Sequence, residues 1–376
     1  MYDTKQCTMQ QVGKPVTGID FIGREKELAL LLQYMKMGQS VVLIAPRRFG
    51  KTSLVREALS ILKKQGFYTA SVDVFANPGL EMLSTSITEE VLKNNKLDKQ
   101  FIKAKNSASA LINNIKLKAL LDDFQFIIGF AESNKNEQEL LSGSIDFVDS
   151  FSKKHHKKII CAYDEFGDIR KFDPKGEIVK LFRAKMQLHS NSTYLFSGSY
   201  ESVMDHMFIN RKSPFYRLVR IIRLEYIEPS TFINYFEARF KELNLTLPPS
   251  YLKTIIGFTR GHPYYSQLAF QQIVLFKALY NYIPEPEILL DEMLNIESDY
   301  IEKVWEDITN NRELVYVLKA IAYDGKNIYK RLKTKNINVA RATKQLEGMG
   351  LLFKDEIIGY YISDPLLVEW IKKNSK

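Results

Sequence analysis

Up to Glu228-Pro229 the apolar positions switch repeatedly between unbroken runs and helical spacing. Leu28, Leu31, Leu32 and Met35 recur at helical spacing, which places them on one face of a helix over 24–37, with Gly38 as its stop. "SVVLIAP" follows as a buried strand. "KTSLVREALSILKKQG" returns to helix, with Leu54, Leu59 and Leu62 inward and Gly66 at its end. "FYTASVDVF" predicts a second strand, and Asn77-Pro78 opens a helix over 79–94. A further helix over 137–154 aligns Leu141, Ile145 and Val148. "KIICAYDEF", "STYLFSGS" and "RIIRLEYI" predict a third, fourth and fifth strand. Residues 95–135 carry no clear period, and "FQFIIGF" near their end fits a strand or a hairpin arm. Strands alternating with helices predict an α/β fold, a mostly parallel sheet with helices on both faces.

Beyond Pro229 the strand signal stops. "STFINYFEARFKEL" and "YYSQLAFQQIVLFKALY" are helical, and Pro248-Pro249 and the "PEPE" at 284–287 mark turns. From about 308 the chain reads as helix, short helix, helix, a hairpin in "LLFKDEIIGYYIS", and a last helix. That order predicts a winged helix. The organisation expected is therefore a sheet domain over 1–228, a helical lid over 229–305 and a winged helix over 306–376.

Composition narrows the class. The chain has 376 residues, 45% of them hydrophobic, enough for real cores and against a disordered chain. No apolar run approaches the ~20 residues that span a bilayer, so no membrane partner is expected. The N-terminal "MYDTKQCTMQ" lacks the basic-then-apolar pattern of a secretory signal. With two cysteines, Cys7 and Cys161, a disulfide framework is not expected, and a cytoplasmic location fits. The five histidines show no metal-ligand spacing. The formal charge of +9 draws the chain toward polyanions, or else solvates its surface. Residues 311–376 hold thirteen Lys and Arg against seven Asp and Glu, so much of the excess lies there.

The candidate chemistry starts at the end of the first strand. "APRRFGKTS" places Gly50, Lys51, Thr52 and Ser53 where strand gives way to helix. Backbone N–H groups at a helix N-terminus form an anion site, glycine lets the chain approach phosphate, lysine reaches the β- and γ-phosphates, and the threonine hydroxyl can bind Mg²⁺. Ala45 stands where the usual motif has glycine, and a positive φ there would strain it. Pro46 stiffens the start of the loop. At the end of the third strand, Asp164 and Glu165 are two carboxylates that are costly to bury without a task. Asp164 can hold Mg²⁺ through water, and Glu165 can orient or deprotonate an attacking water. Ser197 and Ser199 end the fourth strand, either as γ-phosphate or water contacts or as ordinary turn residues.

In order, "FIGREKEL", "APRRFGKTSL", "IICAYDEF", "FSGS" and "RGHPYY" resemble the motifs of AAA+-like P-loop ATPases of the STAND type, and most closely the archaeal-type ATPases that also occur in bacteria. The resemblance implies ATP and Mg²⁺ as ligands. It implies that Phe21, Ile22, Gly23 and Arg24 pack against adenine, that Pro46, Arg47, Arg48, Phe49, Gly50, Lys51, Thr52 and Ser53 surround the phosphates, and that Gly261 and Pro263 form a lid motif touching the base. Ala-Pro-Arg-Arg is a familiar form of the loop in this group. Where initiators of the wider class carry a lid arginine, this chain has Arg260-Gly261-His262, and no lid sensor is assigned. Arg217 is a candidate γ-phosphate contact, in cis or across a homo-oligomer interface, or one charge on a basic turn.

In the winged-helix pattern, Val339, Thr343 and Leu346 would face the core, while Arg341, Lys344 and Gln345 would face outward as candidate contacts to duplex DNA. "KDEIIG" would form the wing tip. The function expected is a slow Mg²⁺-dependent ATPase that switches a protein or DNA partner. The alternatives are an ATP-regulated DNA-binding protein and a non-hydrolysing scaffold that keeps ADP.

Overall fold

The computed structural model describes residues 12–94, 137–199, 201–326, 328–333, 337–355 and 359–374. The "FQFIIGF" segment, Cys7 and residues 356–358 of the "KDEIIG" wing tip lie outside the described residues. The chain divides into two compact units. One holds Glu25–Ala45 and Lys51–Leu224, and the other holds the N-terminal residues to Arg24, the short segment Pro46–Gly50, and Glu225 onward.

The first unit begins with α1 (Glu25–Lys36), whose Leu31 and Met35 are fully buried. It continues with β1 (Val41–Ile44), α2 (Lys51–Lys64), β2 (Tyr68–Asp73), α3 (Leu80–Leu92), α4 (Glu137–Lys154) and β3 (Ile159–Asp164). A short 3₁₀ turn (Phe166–Lys171), α5 (Glu177–Met186), β4 (Ser192–Gly198), α6 (Glu201–Phe208) and β5 (Arg220–Arg223) complete it. All five strands are parallel, in the order β2-β3-β4-β1-β5. β1 is apolar and buried along its whole length, as a strand covered on both faces must be. Tyr163, Phe166, Phe182, Phe196, Phe208 and Phe215 form an aromatic core on one side of the sheet.

The strands are shorter than the apolar runs that predict them, and for two of them the cause is visible. β2 stops at Asp73 because its carboxylate accepts the N–H groups of Phe75 and Ala76 (3.0 and 3.3 Å), a local turn that competes with the ladder. β5 stops at Arg223 rather than continuing to Ile227. Beyond it, the Ile227 N–H donates to the Gly261 carbonyl (3.0 Å) and the Tyr226 hydroxyl to the Ser363 carbonyl (2.9 Å), so this stretch is committed to the second unit.

The second unit is helical: α7 (Pro229–Glu242), α8 (Pro249–Thr259), α9 (Pro263–Tyr280), α10 (Pro286–Ile296) and α11 (Ser298–Thr309). Proline at the first turn of α7 to α10 fixes each start. Next come α12 (Arg312–Tyr323), α13 (Ile328–Arg331), α14 (Val339–Gly348), the antiparallel pair β6 (Leu352–Asp355) and β7 (Gly359–Ile362), and α15 (Pro365–Asn374). One apolar cluster runs from Ile227 to Ile371 through all of these helices. Tyr265 donates to Asp364 (2.7 Å), whose carboxylate in turn accepts the first N–H groups of α15. Burial raises the Asp364 pKa. No helix among the described residues is long and apolar enough to cross a membrane.

Gly261 is a tight point of this unit. Its φ is +73°, and a Cβ there would sit 2.0 Å from the Ile227 carbonyl oxygen. Gly38 also has a positive φ (+76°) but has open space around it. Gly261→Ala is therefore expected to lower stability by ~3 kcal/mol or more, against ~1 kcal/mol for Gly38→Ala, because backbone strain is joined by a clash with main chain. Urea denaturation of the two variants checks the difference; equal losses would contradict it.

Candidate functional site

In a parallel sheet, connections leave from the carboxyl ends of the strands, and ligands bind where the strand order reverses direction. Here the chain steps from β2 through β3 to β4, and then crosses β1 to reach β5. In register, Ile44 at the end of β1 lies beside Gly198 of β4, and Tyr163 of β3 beside Phe196. The residues that follow these strands therefore converge.

Lys51, Thr52, Asp164, Glu165, Ser197 and Ser199 meet at that end. Asp164 accepts the Thr52 hydroxyl (2.8 Å) on one oxygen and the Ser197 hydroxyl (2.5 Å) on the other. The buried ammonium of Lys51 donates to the Ala45 carbonyl (3.0 Å) and to the Ser199 hydroxyl (2.8 Å). Ser199 grips Glu165 twice, through its N–H (3.0 Å) and through its hydroxyl. Lys51 and Glu165 are thus 3.9 Å apart with Ser199 between them. Glu165 adopts a left-handed backbone conformation (φ +49°), uncommon for a residue with a side chain and a form of strain often found at working sites.

The phosphate-loop segment resolves the question that Ala45 raised. Positive φ falls on Arg48 (+65°) and Gly50 (+87°), and Ala45 is not among the residues with positive φ. Ala45 is fully buried, and the part of it that meets Lys51 is its carbonyl, which any residue supplies. At Gly50 a Cβ would meet no other atom of the chain, so within the protein it is the backbone angle that asks for glycine.

The remaining sequence candidates lie in the helical unit or apart. Arg24 is buried and donates to the Phe49 carbonyl (3.3 Å) and the Glu225 carbonyl (2.6 Å). Gly23, with φ +69°, and Gly261 both press on Ile227. Phe21 and Ile22 are half-buried, as are Pro46 and Pro263, while Arg47 is exposed. Arg48 pairs with Glu297 at 2.6 Å. Arg217 lies in an exposed turn at φ +62° with its guanidinium 5.4 Å from its neighbour Tyr216; among the described residues it shares no bond or ion pair with the Lys51–Asp164–Glu165 cluster. Arg341, Lys344 and Gln345 are exposed on α14, while Val339, Thr343 and Leu346 are buried.

Sequence reasoning did not find Glu297 or the clamp that Ser199 places on Glu165. It also gave no role to His262. That ring is buried against Phe49, Tyr226 and Tyr265 at centroid distances of 4.7, 6.2 and 4.5 Å. Its Nδ1 accepts the Tyr265 N–H at the start of α9. Burial first, and then the positive charges of Arg48 and Arg24, push its pKa down to about 3.

The match to known proteins agrees with this arrangement. The model of a family of ATPase domains found predominantly in Archaea matches residues 21–268, more than half of the chain, and the chain belongs to that family. No curated protein matches it. Among solved structures, the Walker-type ATPase of Pyrococcus abyssi superposes with a TM-score of 0.69 at 18% identity, covering 96% of this chain and 98% of the other. The ADP form of the Aeropyrum pernix ORC2 protein gives 0.53 at 13% identity, covering 96% and 95%. These likenesses establish the fold of a P-loop ATPase.

The neutral state of His262 has a consequence for stability. Its pKa is lower in the folded chain than the ordinary value of 6.5, so the unfolded chain binds the proton first as pH falls. The stabilisation is complete above pH ~6.5 and is lost progressively below it. Between pH 7 and 5.5 the wild type is expected to lose ~1 kcal/mol more than His262→Gln. Denaturant titrations at the two pH values check this; parallel losses would contradict it.

Proposed function

We propose that this chain is a slow, Mg²⁺-dependent ATPase that acts as a nucleotide switch, with catalysis at the Lys51–Asp164–Glu165 cluster. The observation that carries the reading is the sharing of one hydroxyl, Ser199, by Lys51 and Glu165, beside an Asp164 that bridges Thr52 and Ser197. A lysine, a loop threonine and two adjacent carboxylates are the groups that phosphoryl transfer to water requires.

In this reading Lys51 exchanges Ser199 for the β- and γ-phosphate oxygens and stabilises the charge that develops on them. Thr52 and Asp164 would hold Mg²⁺, which keeps several waters and takes few protein ligands, and the ion would supply charge neutralisation on the phosphates. Two adjacent oxygens, 2.8 Å apart, suit that role. Glu165, released on one side from Ser199, orients a water and accepts its proton. The water oxygen attacks the γ-phosphorus, the bond to the β-γ bridging oxygen breaks, and ADP and phosphate leave. The strained backbone at Glu165 fits a carboxylate aimed by its surroundings rather than by its own preference. Phe21 to Arg24, Gly261 and Pro263 keep the nucleotide contacts that the resemblance implies.

A second reading, DNA binding through a winged helix at the C-terminus, is favoured by one observation. Helix α14 buries Val339, Thr343 and Leu346 and turns Arg341, Lys344 and Gln345 to solvent, as a groove-reading helix does. Arg341 also lies 3.5 Å from Glu313, an ion pair that phosphate could replace.

Steady-state hydrolysis with and without duplex DNA tests both readings. Glu165→Gln is expected to keep ATP binding and lose turnover by ~100-fold or more, and Lys51→Ala to lose both. Equal turnover in wild type and Glu165→Gln would overturn the catalytic assignment. ADP that copurifies and is never turned over would establish the scaffold reading instead. Stimulation by duplex that disappears when Arg341 and Lys344 are neutralised would support DNA as the partner, and indifference to duplex would remove it.

A further inference from the structure

The segment Pro46–Gly50 belongs to the helical unit, although both neighbouring stretches of chain belong to the sheet unit. Its two central side chains account for this. The Arg48 guanidinium pairs with Glu297 at 2.6 Å and lies over the Tyr264 ring at 4.1 Å and the Tyr300 ring at 5.5 Å. Glu297 sits between α10 and α11 with its side chain only 4% exposed, and its other oxygen accepts the Tyr264 hydroxyl at 2.6 Å. Phe49 is buried against Tyr226 and His262. Its carbonyl also accepts a bond from Arg24.

We propose that Glu297 is a positioning residue for the phosphate loop, and that Arg48 is its tether rather than a phosphate ligand. Three features carry this. First, the pair is asymmetric: Arg48 is 42% exposed, but Glu297 is buried, so withdrawing the guanidinium to a phosphate would leave a buried carboxylate without its cation, which is strongly unfavourable. Second, a bonded and ring-stacked arginine is in the geometry that guanidinium favours and lysine cannot reproduce. Burial disfavours its charge, yet the bond to Glu297 and that residue's charge outweigh this and raise its pKa. Third, Arg48 holds a left-handed φ of +65°, a conformation unfavourable for a residue that carries a Cβ and maintained here by contacts of its side chain. The loop's shape is thus set from the helical unit. Glu297 acts on the phosphates only through the loop's backbone N–H groups. This inference rests on the ATPase reading above.

The test is a double-mutant cycle in the full chain: Arg48→Met, Glu297→Met and both together, with Lys51→Ala as the control for nucleotide binding. ADP affinity, KM and kcat for ATP, and the melting temperature without nucleotide are measured for each. Each single variant is expected to weaken ADP binding and raise KM by ~10-fold with kcat changed less, and the double variant is expected to be no worse than either single one. A protein that had merely lost packing would not separate KM from kcat in this way. Full affinity in Glu297→Met beside a large loss in Arg48→Met would overturn the proposal, because Arg48 would then act on phosphate itself. Multiplying losses would overturn it too. If Glu297→Met does not fold, the charge-exchanged pair Arg48→Glu with Glu297→Arg takes its place. Recovery of affinity relative to Arg48→Glu alone supports the tether, and no recovery refutes it. If the wild type binds no nucleotide, the ATPase reading fails by itself. The tether is then judged on melting temperature, where additive losses would refute it.

Discussion

Asp164 is the constraint on which the candidate site depends. A carboxylate at the end of a strand buried along the rest of its length can be kept there only if its oxygens are satisfied. Thr52 and Ser197 each donate to one of them, from the start of α2 and the end of β4. That requirement locks three pieces of chain, far apart in sequence, into one register: the helix after β1, the end of β3 and the end of β4. The parallel ladders deliver the backbone to the right place, but they do not specify which side chains meet. The two hydroxyls do, and the position of Glu165 one residue later follows from them.

Beside this bridge the structure arranges a second sharing. Lys51 and Glu165 would attract each other directly, yet Ser199 stands between them and bonds to both. A direct, buried ion pair would need strong geometry to offset its desolvation, and would hold both groups in place. A shared hydroxyl is easier to exchange, since Ser199 can be replaced by a phosphate oxygen at Lys51 while its N–H keeps hold of Glu165. On the proposed reading, the arrangement lets Lys51 trade a neutral hydroxyl for a phosphate oxygen without rebuilding the frame around Glu165.

Much of this was legible in the sequence. The strand–loop–helix context of Gly50-Lys51-Thr52 and the apolar run ending in Asp164-Glu165 are local patterns, and local patterns survive without a structure. The faces of α4 and α14 were readable for the same reason, since helical spacing alone sorts Leu141, Ile145 and Val148, or Val339 and Leu346, to the inside. What stayed hidden depends on adjacency through space. Ser199 and Glu165 are 34 residues apart and Arg48 and Glu297 are 249 apart, and nothing in "NIESDY" distinguishes Glu297 from any surface glutamate. The strand ends were missed for a smaller reason. Asp73 closes β2 through its own side chain, a signal that was available, whereas β5 ends early because Ile227 is claimed by Gly261.

Glycine makes the same point from the backbone side. Ala45 attracted suspicion because it replaces a glycine in a motif, but motif positions matter only through the angles and atoms they contribute. Here the left-handed angles fall on Arg48 and Gly50, and the useful atom of Ala45 is its carbonyl oxygen. An arginine in a left-handed conformation is the less comfortable choice, and it persists because its guanidinium is held by Glu297, Tyr264 and Tyr300. Where glycine would have given the loop freedom, this chain has a residue whose side chain removes it. If the loop closes on an anion as proposed, a restraint of this kind leaves it less conformational entropy to lose, and so favours binding without itself contacting the ligand.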